Sequence, residues 1–192
     1  PPEPARFVRR LIRDGKRLGL HLSDAMREAI KEIKLKMSTL EVEFSHNINE
    51  DKTFLLFTRD ELKGCPEDLL NSFEVVDGKL KVTMQYPDVY PVLRHCDVGD
   101  TRQRMSIAFN SRCSEANTKL LEELIQLRHK MAQLLGYSSH AAYRQEIQMA
   151  RNPETVNTFL VDLGLKLQPL WAKEQAVMLK LKQELCAQTG DS

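Results

Sequence analysis

His21, His46, His95, His129 and His140 are the residues of this chain best suited to holding a metal ion, and their spacing decides against it. A water-activating zinc helix puts two imidazoles one turn apart on one face, with a glutamate between them. Here the nearest two, His129 and His140, stand eleven positions apart. On a continuous helix that is about 16 Å, which metal–nitrogen bonds of about 2 Å cannot span. Glu43 and His46 form one ExxH, the spacing of carboxylate-bridged metal sites, but such a site takes two of these motifs and further glutamates from facing helices. The pair reads as exposed groups near a helix end. Cys65, Cys96, Cys113 and Cys186 lack the CxxC spacing that holds zinc or runs thiol exchange, and are expected as reduced thiols. No GxSxG elbow, Walker loop, GxGxxG or cysteine–histidine signature is present. The expectation is that these residues supply no catalytic, cofactor-binding or metal-ligating group.

One stretch concentrates polar groups all the same. LLGYSSHAAYR, residues 134–144, holds a histidine, two tyrosines and two serines directly after a long apolar-periodic run. Gly136 suits the C′ position of the preceding helix, and Ser138 or Ser139 the N-cap of the next. The stretch then reads as a helix–glycine–cap–helix joint, with His140 and Tyr143 as packing or surface groups.

The elements around it are mostly helical. Met26, Ile30, Ile33, Met37, Leu40, Phe44 and Ile48 step by three and four, which predicts a long amphipathic helix with Ser23 as its N-cap. Phe7, Val8, Leu11 and Ile12 mark a shorter basic helix before it, ended near Gly19. TFLLF at 53–57 and EVVDGKLKVTMQ at 74–85 read as strands, with Asp77-Gly78 as a type I′ turn and Leu80, Val82 and Met84 alternating inward. Thr58 and Glu61 have capping-box spacing for a short helix, and Pro66 suits the first turn of another. YPDVYPVLRHC is expected to be irregular or only briefly helical because of Pro87 and Pro91, after which Asp100 can cap TRQRMSIAF. Leu120, Leu124, Leu127, Met131 and Leu134 predict a helix over about 115–135.

Asn152-Pro153 reads as N-cap and N1 of a last helix. Its apolar stripe is Val156, Phe159 or Leu160, Leu163, Leu167, Leu170, Val177 or Met178, Leu181 and Leu185. Gly164 and Pro169 predict a kink in it, and the tail AQTGDS is expected to fray. The fold class is mainly α, long antiparallel helices with a small antiparallel β insert at about 53–96, in a single segment 1–192.

Lys plus Arg total 28 and Asp plus Glu 27, so bulk charge attracts neither nucleic acid nor acidic membranes. The charge is uneven: residues 1–36 carry ten bases against five acids, and residues 41–77 ten acids against three bases. Each block reads as the solvated side of helices. Arg9, Arg10, Arg13, Lys16 and Arg17 form the best basic cluster, but only Phe7 accompanies it as an aromatic, so the stacking partners of a single-strand binder are missing. No apolar stretch approaches the length of a membrane span, and PPEPARFVRRLIRD is too charged for a signal core.

Four strings, NINEDKTFLLFTRDELKGCPEDLLNS at 47–72, YPDVYP at 86–91, TRQRMSIAFNSRCSEAN at 101–117 and LLGYSSHAAY at 134–143, together resemble one family. In this order and at these separations they are similar to the N-terminal lobe of the thimet oligopeptidase and neurolysin family of zinc metallo-oligopeptidases. The chain departs from the family pattern at Glu41, where a cysteine is usual, at His46, where a lysine is, and at Asp88, where a histidine is. The family's HExxH and third zinc ligand have no counterpart here, so no catalytic or metal residue is carried over.

What the resemblance implies is a neurolysin-like lobe forming one wall of a deep channel that admits short peptides, while zinc is bound in the downstream catalytic lobe of the same protein and not by this segment. Its partners would be short peptides and that lobe, with no nucleic acid and no membrane, and its location cytoplasmic with the mitochondrion as alternative. The competing expectation is a free-standing helical module that binds peptides or proteins without catalysis.

Overall fold

The strongest periodicities become the longest helices. The computed structural model describes residues 2–189, of which the order is α1 (Glu3–Arg17), α2 (Asp24–Asn49), β1 (Phe54–Phe57), α3 (Glu67–Ser72), β2 (Glu74–Val76), β3 (Lys79–Thr83), α4 (Tyr86–His95), α5 (Gly99–Ser111), α6 (Ser114–Leu134), α7 (His140–Gln145) and α8 (Pro153–Thr189). Of the described residues 71% are helical, with one three-stranded antiparallel sheet, so the fold is mainly α with a small β insert. It divides into two compact units. One is built from residues up to Thr39 and from Glu123 onward, the other from Leu40–Glu122, and the division falls inside α2 and α6.

In the first unit, Ile30 and Ile33 of α2 bury against Met131 and Leu135, with Met37, Leu127 and Leu134 half-buried around them. Apart from Leu135, which follows the end of α6, these are the stripe positions the spacing marks, because every third or fourth residue of a helix returns to the same face. The Ser23 hydroxyl accepts from the Met26 N–H at the start of α2, and Asn152 accepts from the Thr155 N–H at the start of α8, as the sequence predicts.

In the second unit, β3 is the middle strand, pairing antiparallel with β1 (Phe57 opposite Leu80) and with β2 (Val75 opposite Leu80). Asp77 and Gly78 both have positive φ, the requirement of the type I′ turn. Leu80, Val82 and Met84 are buried with Phe57, Leu62, Val89, Val92 and Met105 in one core. On the other face Lys81 pairs with its cross-strand neighbour Glu74 at 2.6 Å. Buried Asn117 of α6 ties back to α2, its side-chain amide donating to the Phe44 carbonyl at 3.2 Å and its oxygen accepting from Asn47 at 2.8 Å.

Three expectations need correction. YPDVYPVLRH is a ten-residue helix, α4. Pro87 sits in its first turn, where its missing N–H has no intrahelical partner to lose. Pro91 forfeits one bond, and burial of Val89 and Val92 at about 1.5–3 kcal/mol each outweighs that loss. Thr58 and Glu61 do form the reciprocal pair, with the Thr58 N–H donating to Glu61 at 2.7 Å and the Glu61 N–H to the Thr58 hydroxyl at 3.2 Å. The residues they enclose are turns rather than a helix, because Gly64, at φ +92°, lets the chain close on residues 95–97. Asp100 caps nothing: α5 starts at Gly99 after Val98, and the Asp100 carboxylate lies 3.6 Å from Arg104 one turn on.

α8 differs from α2 and α6. The apolar stripe of α8 is not core: Leu163, Leu167, Leu170 and Leu181 are 39–59% exposed. α7 packs against α8, and among the described residues most of the apolar side chains of the helix stay exposed. The helix continues through Pro169. Of the tail, α8 reaches Thr189, and Gly190–Ser192 lie outside the described residues.

Candidate functional site

The joint at 134–146 is where polar side chains converge. Gly136, at φ +85°, closes α6 with a double backbone clasp, its own N–H bonding to the Gln133 carbonyl and that of Tyr137 to the Ala132 carbonyl. That is the Schellman arrangement, for which glycine is favoured because it has no Cβ to strain. Ser139 then caps α7 by accepting from the Ala142 N–H at 3.1 Å.

Into this joint the end of α1 inserts Arg17, which is only 7% exposed. Its guanidinium donates to the Tyr143 carbonyl and to the Glu146 carboxylate, each at 2.6 Å, and lies 4.2 Å from the centre of the Tyr143 ring. The Tyr137 hydroxyl donates to the same Glu146 oxygen at 2.7 Å, and the Tyr137 and Tyr143 rings meet edge to face at 5.2 Å. Burial alone would raise the Glu146 pKa, but the hydrogen bonds from Tyr137 and Arg17 outweigh it and hold the carboxyl below its ordinary value. Burial, and then the bond to Glu146, raise the Tyr137 phenol.

His140, 6.0 Å from the Tyr143 ring, is pushed below its ordinary pKa by burial and by Arg128 and Arg144. Its Nδ1, like the Gln145 Oε1, is buried without a hydrogen-bond partner. Arg17, Tyr137 and Glu146 therefore spend their polar atoms on each other. Through these bonds the cluster ties the end of α1 to the joint.

The other candidates are dispersed. Glu43 and His46 are exposed on α2. Cys65 and Cys96 are buried side by side, and burial, then the neighbouring Cys96, push the Cys65 thiol up to about 11. Cys113 donates to the Asn47 carbonyl at 3.1 Å and to Asp51 at 3.3 Å, and burial and Asp51 raise its pKa too. Thiols so shifted are poor nucleophiles. Among the described residues, no group of three or more His, Cys, Asp or Glu is placed to hold a metal.

In the second unit, Tyr86 and Tyr90, one turn apart on α4, cluster with Phe109 at ring separations of 5.4–5.9 Å, and Arg112 stacks on Phe109 at 3.9 Å. Beside them is a cavity of about 150 Å³ lined by Asn49, Asp51, Gln85 and Arg112, smaller than the few hundred Å³ of a ligand pocket. Asp88, where the family pattern has a histidine, accepts from the backbone N–H of Thr83 at 3.2 Å and from its hydroxyl. That departure serves the junction of β3 with α4. No helix among the described residues is long and apolar enough to cross a membrane.

Comparison with known proteins gives the context these residues lack. The model of peptidase family M3 matches residues 92–191. A thimet-like oligopeptidase of Dictyostelium discoideum is 33% identical over 98% of this chain and 28% of its own length. Saccharolysin of Saccharomyces cerevisiae is 35% identical over 95% of this chain and 26% of its own length. Oligopeptidase A of Escherichia coli is 31% identical over 86% and 27%. The chain thus spans about a quarter of the length of the curated relatives it matches.

Proposed function

Because this chain belongs to peptidase family M3, we propose that it is a non-catalytic wall of a zinc-dependent oligopeptidase, a single segment of the N-terminal lobe facing a channel that admits short peptides. The observation that carries this reading is the near-complete coverage of the chain by oligopeptidases of which it matches only about a quarter. A segment of that kind acts through shape: tall walls exclude folded proteins and pass unstructured peptides. The zinc that the family resemblance implies finds no donor set among the described residues, so no step of hydrolysis is derived through them. Polarising the scissile bond and activating water belong, in this reading, to the rest of the protein, located in the cytoplasm or alternatively the mitochondrion.

The test is a fluorogenic short-peptide assay with added zinc. The isolated chain is expected to show no turnover, and turnover abolished by a chelator would overturn the reading. A reading frame that runs past codon 192 into an HExxH supports it. A stop there, together with peptide binding by the isolated chain, favours a helical module that binds without catalysis.

A further inference from the structure

We propose that α8 is an interior helix of the M3 fold, covered on two opposite sides by parts of the same peptidase polypeptide that lie outside these 192 residues. The inference rests on the reading that this chain is a portion of such a peptidase. Twelve large apolar side chains between Phe159 and Leu181 keep 39–64% of their surface exposed. Together they present on the order of 1,000 Å², against the few hundred Å² of apolar patch that a soluble monomer ordinarily shows.

Their arrangement selects the occupant. Leu160, Leu163, Leu167 and Leu170, continued by Met178 and Leu181, form one row at helical spacing. Val161, Leu165 and Leu179, with Ala172 and Ala176 between, form a second row about 160° round the helix, at 100° per residue. A pairing with a second copy covers one seam, and a membrane surface wets one face. Two rows on opposite sides need layers above and below.

Charge excludes the membrane as well. The helix carries Glu154, Asp162, Glu174 and Glu184 against Lys166, Lys173, Lys180 and Lys182, and pairs them along itself, Lys166 with Asp162 at 2.7 Å and Lys180 with Glu184 at 3.8 Å. A balanced helix has no pull toward anionic lipid. The remaining occupant is more of the same fold: the M3 match runs through α8, and about three-quarters of each matched relative lies outside the aligned span.

The experiment compares the isolated chain with saccharolysin in which this chain replaces the aligned segment. Cys113 and Cys186 are changed to serine, and single cysteines are placed by Leu167→Cys in one row, Leu165→Cys in the other and Lys173→Cys as a control, for timed maleimide labelling. In the chimera both apolar positions are expected to label at least about tenfold more slowly than in the isolated chain, with the control unchanged, since thiol reactivity follows access. Equal rates at either apolar position overturn the proposal. So does a chimera that fails to fold while the isolated chain is stable, because the faces would then not fit the family's remainder.

Sedimentation of the isolated chain adds an independent arm: a dimer that protects both rows assigns α8 to a second copy and overturns the proposal, as does labelling suppressed by anionic vesicles alone. Peptidase activity of the chimera is scored separately, so protection without turnover tells against the proposed function and leaves the interior helix standing.

Discussion

Replacing Arg17 with methionine keeps an apolar stem in the joint and removes the charge, which isolates what the guanidinium does there. It loses a charge-assisted bond to the Tyr143 carbonyl, one to Glu146, and the face of the Tyr143 ring. A hydrogen bond to a charged group contributes about 1.5–3 kcal/mol and a partly buried cation–π contact about 1. The Glu146 side chain is 39% exposed, so its share falls toward the surface-pair range of about 0–1 kcal/mol, and water can hydrate it once Arg17 is gone. Relief of the buried charge returns part of the loss. The net expectation is a destabilisation of about 1–3 kcal/mol.

Urea unfolding followed by circular dichroism measures the total, and hydrogen exchange localises it: amides of α1 should exchange faster in Arg17→Met while those of β3, in the other unit, stay unchanged. The Glu146→Gln change in both backgrounds should recover a coupling of about 0.5–1 kcal/mol. An Arg17→Met variant within 0.5 kcal/mol of the parent, or one that speeds exchange equally in β3, refutes the role of the cluster as the anchor of α1.

Gly64→Ala should destabilise by more than about 2 kcal/mol, because a Cβ there would meet the His95 carbonyl at 2.6 Å at φ +92°, whereas Gly78→Ala, with open space around it, should cost only about 1 kcal/mol for its positive φ. Thermal unfolding of the two side by side checks the contrast. Leu124→Ala, at a position 6% exposed, should cost about 2–5 kcal/mol, and His140→Ala clearly less; equal urea midpoints would count against the α6 core. Glu146 has a folded pKa below its ordinary 4.5, so its contribution is fully present above that value and is lost as pH falls through the lower folded pKa; Glu146→Gln should flatten this acid limb. His140, also lowered, favours the fold as the neutral imidazole, with its contribution complete above 6.5 and declining below it, and His140→Gln should remove that slope in the same pH series.

Periodicity and cap chemistry alone determine most of the helices here. Ile30, Ile33, Leu124 and Met131 recur at the interval that puts them on one face, and Ser23, Gly136, Ser139 and Asn152 satisfy the end groups of their own helices, so neither inference needs a partner from elsewhere in the chain. The family resemblance was legible for the same reason, as an order of local strings. Local rules failed where distant residues decide the outcome. Two prolines made α4 look irregular, yet Val89 and Val92 gain enough from a core assembled by β1, β3 and α5 to hold it helical. Capping-box spacing at Thr58 formed its bonds without a helix, because Gly64 turns the chain onto residues 95–97.

Arg17, counted from sequence among solvated basic residues, is buried by tyrosines more than a hundred positions away, and no pattern of spacing encodes that meeting. The stripe of α8 shows the converse. Its spacing fixes which side chains share a face, but burial needs a second surface, and among the described residues Leu163, Leu167, Leu170 and Leu181 stay 39–59% exposed.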